Sequence, residues 1–296
     1  MKKLVFAISA LLILASCGGS KKVVNQSTAL KEPVIVADTI SVAKLKEAMK
    51  KAEEKKEKEE AVEKVVKEEL IKTEEVVEEI ITEVFNHSVW DGLLRDFVNP
   101  EGNVNYEGFR QNRGVLRDYI ASLGANMPTE NWTQEDQLAY WMNAYNAMTV
   151  DLILRNLPLK SIKDIDKPWN QRLWKLGSKW YNLDEIEHQI LRKMDDPRIH
   201  FGINCASFSC PPLLNEAFTS TRVDGQLDAL ARSFINDPLR NTIASDRIVI
   251  SKIFTWFAKD FKKDGSLIDF LNKYSETPIE AKARKSFKEY NWDLNN

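Results

Sequence analysis

Behind Met1-Lys2-Lys3, an apolar run extends from Leu4 to Ala15, interrupted only by Ser9. It is about half the ~20 residues that a bilayer-spanning helix needs, so the pattern predicts a cleaved export signal, not a lasting membrane segment. From residue 20 to about residue 40 polar and weakly apolar positions follow no period, which suits a flexible tether. Between Ala43 and Glu83 the pattern turns helical: Lys and Glu dominate, Gly and Pro are absent, and Glu-to-Lys pairs recur at neighbour spacing along a helix. The early part of that helix offers no apolar face. The later part has one, made by Val62, Val65, Val66, Leu70, Val77, Ile80, Ile81 and Val84. The expectation is a charged stalk over residues 43–88, a solvated spacer whose later half can dock on the domain or pair with another helix as a coiled coil.

The globular pattern begins at Val89 and holds all 8 tryptophans. Helical periodicity covers Trp90 to Phe97, and Asn99-Pro100-Glu101-Gly102-Asn103 is a turn cluster, with Val104 to Tyr106 reading as a short strand. Leu116 to Leu123 is a further helix. The strongest helical signal follows: Thr133 as N-cap, Glu135 and Asp136 in the first turn, then Leu138 to Leu154, apolar nearly all round and therefore the central buried helix. Beyond Pro158 the pattern shortens. Trp174 to Leu183 predicts a hairpin turning at Gly177-Ser178, Leu183 to Lys193 a helix, Arg198 to Asn204 a strand and Gly225 to Asn236 an amphipathic helix. A strand over Arg247–Ile253 and helices over Phe254–Phe261 and Leu267–Tyr274 complete the chain. Short strands and helices mix without regular β-α-β alternation, so the predicted class is α+β with a small antiparallel sheet.

Composition and charge change this picture in a few places. The tetrapeptide Leu14-Ala15-Ser16-Cys17 is similar to the bacterial lipobox, whose cysteine is acylated after cleavage. Cys17 is thus the expected lipidation site, with residues 1–16 as signal and 17–42 as tether. The partner this implies is a membrane, gripped through acyl chains. That reading puts the protein in the cell envelope, with the outer membrane as the expected anchor. A formal net charge of −2 gives no basic field to attract nucleic acid, which is excluded as a partner. There is no internal repeat, phosphate-cradling glycine loop, Gly-x-Ser-x-Gly elbow or His-Glu-x-x-His, which removes several large enzyme classes.

Chemistry concentrates in three places: Ile186-Glu187-His188; the run from Arg198 to Pro212 with Asn204, Cys205, Ser207 and Cys210; and Asn143 with Asn146 inside the apolar helix. A thiol in a loop of small residues after a strand is a common way to present a nucleophile, and it needs a base or cation nearby because the thiolate attacks. Of 3 histidines, His87 at the stalk junction is set aside, leaving His188 and His200. Glu187 or Glu185 is the candidate to orient His188, although helix neighbours point about 100° apart and Glu187 can equally face Arg192 or the loop. Asn143 and Asn146 are read first as satisfying buried backbone groups. In an exported chain Cys205 and Cys210 can instead close an intraloop disulfide. One Cys-x4-Cys and two histidines lack the doubled spacing of a zinc site, so neither metal nor cofactor is expected.

These phrases carry a resemblance. Leu138-Ala-Tyr-Trp-Met-Asn-Ala-Tyr-Asn-Ala147, Ser161 to Ile165, Ile186-Glu-His-Gln-Ile-Leu-Arg192, Asp196 to Phe201, Asn204-Cys-Ala-Ser207, Cys210-Pro-Pro212 and Tyr290 to Asn295 resemble the family called domain of unknown function 547, from about Val89 to the end. The resemblance implies a fold similar to papain-like cysteine hydrolases and a triad that would be Glu187, His188 and Cys205. Because the histidine precedes the nucleophile, it also implies a permuted topology. Residues 89–296 are therefore expected to be a single domain acting as an extracytoplasmic thiol hydrolase, peptidase- or amidase-like. In that role Cys205 attacks, His188 is base and then acid, and Asn204, Ser207, His200 and Asn143 form the oxyanion site and pocket. The alternative is a non-catalytic envelope module that binds a peptide or cell-wall ligand, and in either case the stalk can support oligomerisation.

Overall fold

The computed structural model describes residues 84–296 without a break, together with residues 44, 46, 47, 49–51, 55, 56, 58 and 62–67. The signal, Cys17, the tether and the stalk residues Leu70, Val77, Ile80 and Ile81 lie outside the described residues. Two compact units divide the chain, residues 1–66 and 67–296. In the first, every described residue is helical, and Val62, Val65 and Val66 are exposed. No helix among the described residues is long and apolar enough to cross a membrane.

The second unit is built on helices. α1 (Ser88–Phe97) buries Trp90, Leu93 and Leu94, and the Trp90 ring stacks on Tyr119 with centroids 5.9 Å apart. The predicted turn follows, held by the Asn103 N–H donating to Asn99 Oδ1 at 2.8 Å. Its Gly102 has φ +80, and a Cβ there would lie 2.4 Å from that of Pro212, so a side chain would push this turn away from the end of the cysteine loop. Val104 makes one bridge, to Val98, and Tyr106 already begins a helix, so the strand expected at 104–106 does not extend. α2 (Tyr106–Gln111) and α3 (Arg113–Ala125) lead to α4 (Gln134–Asn156). In α4 the Thr133 hydroxyl accepts from the Asp136 N–H, as its expected place as N-cap requires, and the Asp136 carboxylate in turn accepts from the Thr133 N–H. Every residue from Leu138 to Leu154 on α4 is largely or fully buried, because α2, α3 and the later elements surround it.

β1 (Trp174–Leu176) and β2 (Lys179–Tyr181) form the predicted antiparallel hairpin, docked on the end of α3 through the Gly177 N–H to the Gly124 carbonyl at 2.9 Å. The segment after it is not one helix. A single α turn, α5 (Leu183–Glu185), widens into a π turn over Ile186–Ile190 and tightens into a 3-10 turn over Leu191–Met194. Interruptions of this kind cost backbone regularity and are common at functional sites.

The strand expected over Arg198–Asn204 is a helical turn, α6 (Ile199–Gly202). Alternation of Ile199, Phe201 and Ile203 reads as a strand only if the residues between them face water, and His200 and Gly202 are buried as well. The turn that leads into it contains Pro197 and is held by the Asp196 carboxylate, which accepts from the Arg198 N–H at 2.8 Å. α7 (Val223–Asn236) packs on α6. The remaining sheet has β3 (Thr242–Ile243) antiparallel to β4 (Arg247–Ile250), and β4 parallel to β5 (Arg284–Phe287). All four β5 residues are exposed, so no apolar alternation announces that strand. The short helices α8 (Ile253–Trp256), α9 (Ala258–Phe261) and α10 (Leu267–Asn272) connect β4 to it. One hydrophobic core surrounds α4, and a second, rich in Phe201, Phe234, Phe254, Phe261 and Phe270, lies under the sheet. The class is α+β, with a central buried helix as expected.

Candidate active site

The loop bearing Cys205 is fastened from both sides by asparagines. Asn146, on α4, donates to the Gly202 carbonyl and accepts from the Asn204 N–H, each at 2.9 Å. Asn204 then donates to the Pro211 carbonyl at 2.8 Å while its oxygen accepts from the Ala206 N–H at 2.7 Å. These bonds close the loop on itself and hold Ala206 at φ +55, in the left-handed region. The C-terminal chain braces the outside, with the Phe208 N–H donating to the Asp293 carbonyl at 2.7 Å and that of Ser209 to the Asn291 carbonyl at 3.2 Å.

Cys205 Sγ lies 2.7 Å from Cys210 Sγ and 3.3 Å from both Ser207 Oγ and the Tyr290 hydroxyl, and both thiols are free. Burial alone would push the Cys205 thiol up. Hydrogen bonds with Cys210, Ser207 and Tyr290 outweigh burial and the nearby Glu187 carboxylate, so its pKa falls below the ordinary thiol value. Burial, and then the charge on Cys205, push Cys210 well up, and the same two effects raise Tyr290. The shifts run in opposite directions, so of the two thiols Cys205 is the one that ionises more readily.

Cys205 and Cys210 open on a cavity of about 280 Å³. Glu187, His188, His200 and Tyr290 are its other principal polar lining, and Trp169, Trp256, Phe257 and Trp292 form an apolar wall. The wall is continuous: Trp256 stacks on Trp292 at 5.7 Å, and Tyr290 lies 4.7 Å from Trp256 and 4.5 Å from Trp292.

Four of the expected residues, Glu187, His188, His200 and Cys205, thus meet at one cavity, but no hydrogen bond joins them. Glu187 accepts from the Tyr145 hydroxyl at 3.1 Å and does not orient His188. The carboxylate nearest His188 is Asp184, one turn earlier, with Oδ1 3.6 Å from Nε2. Arg192 donates to His188 Nδ1 at 3.1 Å, so that nitrogen accepts and the neutral ring carries its proton on Nε2. The same Arg192 forks onto Asp260 at 2.7 and 2.8 Å, and Asp260 accepts from His200 Nε2 at 2.8 Å. Burial opposes the Asp260 charge, but bonds from His200 and Arg192 hold its carboxyl well below the usual range. His200 stacks on Phe257 at 3.8 Å, and its buried Nδ1 has no partner among the described residues.

The remaining expected residues are engaged elsewhere. Asn204 is buried and is not in the cavity wall: its amide donates to the Pro211 carbonyl and its backbone N–H to Asn146. Among the loop amides, those of Ala206, Phe208, Ser209 and Cys210 also have partners within the protein. Ser207 attends the thiol. Asn143 is not in the cavity wall: it donates to the Phe218 carbonyl at 2.8 Å and accepts from the Phe218 N–H at 3.0 Å, in keeping with the backbone role read for it and Asn146.

Sequence reasoning did not assign roles to Tyr290, Asp184 or Asp260. Tyr290 stood in a recognised phrase, yet it is 85 residues from Cys205, and nothing local joins the two.

Residues 129–235 match the family described as "Protein of unknown function, DUF547". That stretch runs from the approach to α4 through the broken helical segment and the cysteine loop to the end of α7. No curated protein and no solved structure matches the chain.

Proposed function

We propose that the cavity is the active site of a thiol-dependent hydrolase that cleaves an amide or related acyl bond of a peptide-like ligand, carried in the cell envelope on a lipid-anchored stalk. The observation that carries this reading is the Cys205 sulfur, ringed by Cys210, Ser207 and Tyr290 and open to a cavity that two imidazoles also line. The thiolate attacks the carbonyl carbon, forming the acyl-sulfur bond. Water protonates the departing amine as the carbon–nitrogen bond breaks, and a second water then hydrolyses the acyl-sulfur bond and frees Cys205; the Nε2–H of His188, with Asp184 in place of Glu187 as its nearest carboxylate, donates to the reacting oxygen. Glu187 and Tyr145 supply a polar floor, and the tryptophan wall takes an apolar or cyclic part of the ligand.

A second reading has a specific observation behind it: no hydrogen bond ties Cys205 to either imidazole, while the aromatic wall alone suits a binding module. The rate of Cys205 alkylation by iodoacetamide against pH, read by peptide mass, tests the choice. A hydrolase nucleophile reacts with a midpoint below the free-thiol value of about 8.5, and Cys205→Ser then abolishes cleavage of a peptide ester panel. A midpoint above that value, with cleavage untouched by Cys205→Ser, overturns the hydrolase and leaves the binding module.

A further inference from the structure

In acyl transfer the second thiol is only a hydrogen-bond partner of the Cys205 sulfur and forms no bond to the ligand; its position gives it a reaction of its own. Cys205 is half-buried at the cavity, whereas Cys210, which also lines it, has only 4% of its surface exposed. Their sulfurs lie 2.7 Å apart, held by a closed loop: Asn204 ties its two ends, and the Cys210 N–H donates to the Ser207 carbonyl at 3.0 Å. The Cys205 N–H donates to Cys210 Sγ at 2.9 Å. Both thiols line the cavity, but Cys205 is the more exposed of the two and Cys210 stands against its sulfur.

We propose that Cys205 and Cys210 are a thiol–disulfide exchange couple that reduces a disulfide bound in the cavity, Cys205 attacking and Cys210 resolving. The Cys205 thiolate attacks one sulfur of a disulfide R–S–S–R′; a Cys205–S–S–R bond forms, the substrate bond breaks, and R′S⁻ leaves. Cys210 then loses its proton, attacks Cys205 Sγ and expels RS⁻, closing the Cys205–Cys210 disulfide. Two electrons pass from the protein to the substrate; of the two protons on the product thiols, one comes from Cys210 and one from solvent.

The electrostatics favour this order. The charge on Cys205 helps keep Cys210 protonated before the first step, and that charge disappears when the mixed disulfide forms. The Cys205 N–H aimed at Cys210 Sγ then steadies the second thiolate. The aromatic wall suits a peptidyl or other low-molecular-weight disulfide with an apolar flank. The couple shares the Cys205 thiolate with the hydrolase reading and needs neither imidazole.

Oxidised glutathione is the probe, with intact mass and peptide mapping as the readout. The full chain, reduced beforehand, should pass to the internal Cys205–Cys210 disulfide with little adduct. Cys210→Ser should hold a glutathione adduct on Cys205 at least about tenfold longer than the unsubstituted chain, since nothing resolves it. Cys205→Ser should form no adduct at Cys210. Equal adduct lifetimes with and without Cys210, adduct formation at Cys210, or no exchange at all would overturn the proposal. Iodoacetamide labelling of the same Cys210→Ser protein, with its thermal midpoint checked, reads the nucleophile separately. Alkylation of Cys205 without exchange ends the couple and leaves the hydrolase standing; failure of both removes both.

Discussion

Helix α4 and the stretch from α5 to Cys210 lie against each other and handle buried polarity in opposite ways. On α4 the polar residues serve the fold. Asn143 and Asn146 satisfy neighbouring backbone, Thr149 donates to the Tyr145 carbonyl at 2.9 Å, and Asp151 holds Arg155 and the Trp174 indole N–H. The backbone there is regular for 23 residues. In the other stretch the helix widens and tightens within three turns, and Asp195 and Ala206 sit at positive φ. Irregularity of that kind is retained where a site requires it. The comparison identifies α4 as a scaffold whose polarity is structural, and the broken segment with its loop as the place where polarity is left free to react.

If that division is right, an imidazole in the scaffold should act on stability alone. His87, at the start of α1, is buried against Phe85 and faces the Tyr119 hydroxyl at 2.7 Å. Burial lowers its pKa to about 3. Its unfolded value is about 6.5, so the unfolded chain binds the extra proton between the two values. Its contribution is complete above about pH 6.5 and is lost as pH falls toward 3, by roughly 5 kcal/mol over the whole window. Urea midpoints at pH 7 and pH 4 should differ strongly, and His87→Gln should flatten that difference while leaving Cys205 alkylation at pH 7 as it was. A slope unchanged by the substitution would show that another group carries it.

A smaller effect separates the two regions from the scaffold side. Asn143→Ala strips both partners from the buried Phe218 backbone. It should cost about 2–4 kcal/mol in denaturant unfolding. Cys205 should still alkylate with its lowered midpoint in the folded protein, because Asn143 does not touch the cavity. Loss of that reactivity would make α4 part of the site.

The mildest test comes from the site itself. Tyr290→Phe removes one donor from the Cys205 thiolate and should raise its pKa, slowing alkylation at pH 7 by up to about tenfold, the equivalent of one pKa unit. The thermal midpoint should move by no more than about 2–4 °C. An unchanged pH profile would show that Cys210 and Ser207 suffice and that Tyr290 only packs against Trp256 and Trp292.

Much of the scaffold was legible because local rules decide it. Thr133 and Asp136 announce the start of α4 through a cap that spans three residues, and the all-round apolar run behind them announces its burial. Gly177 marks the hairpin in the same way. Where neighbours in space override neighbours in sequence, the reading fails. Ile199, Phe201 and Ile203 alternate as a strand would, but burial of His200 and Gly202 between them makes α6 a helical turn. β5 has no apolar alternation to betray it, since pairing with β4 through its backbone is enough.

The candidate site divides along the same line. Residue types and short spacings were sufficient to single out Glu187, His188, His200 and Cys205, because a thiol among small residues and the few imidazoles are visible without coordinates. Their partnerships were not. Glu187 turns to Tyr145, His188 to Asp184 and Arg192, and His200 to Asp260, while the sulfur takes its donors from Cys210, Ser207 and a tyrosine near the C-terminus. A pattern along the chain records which groups exist and which faces are apolar; which proton donor reaches which acceptor depends on distances that close only when segments far apart in sequence pack together.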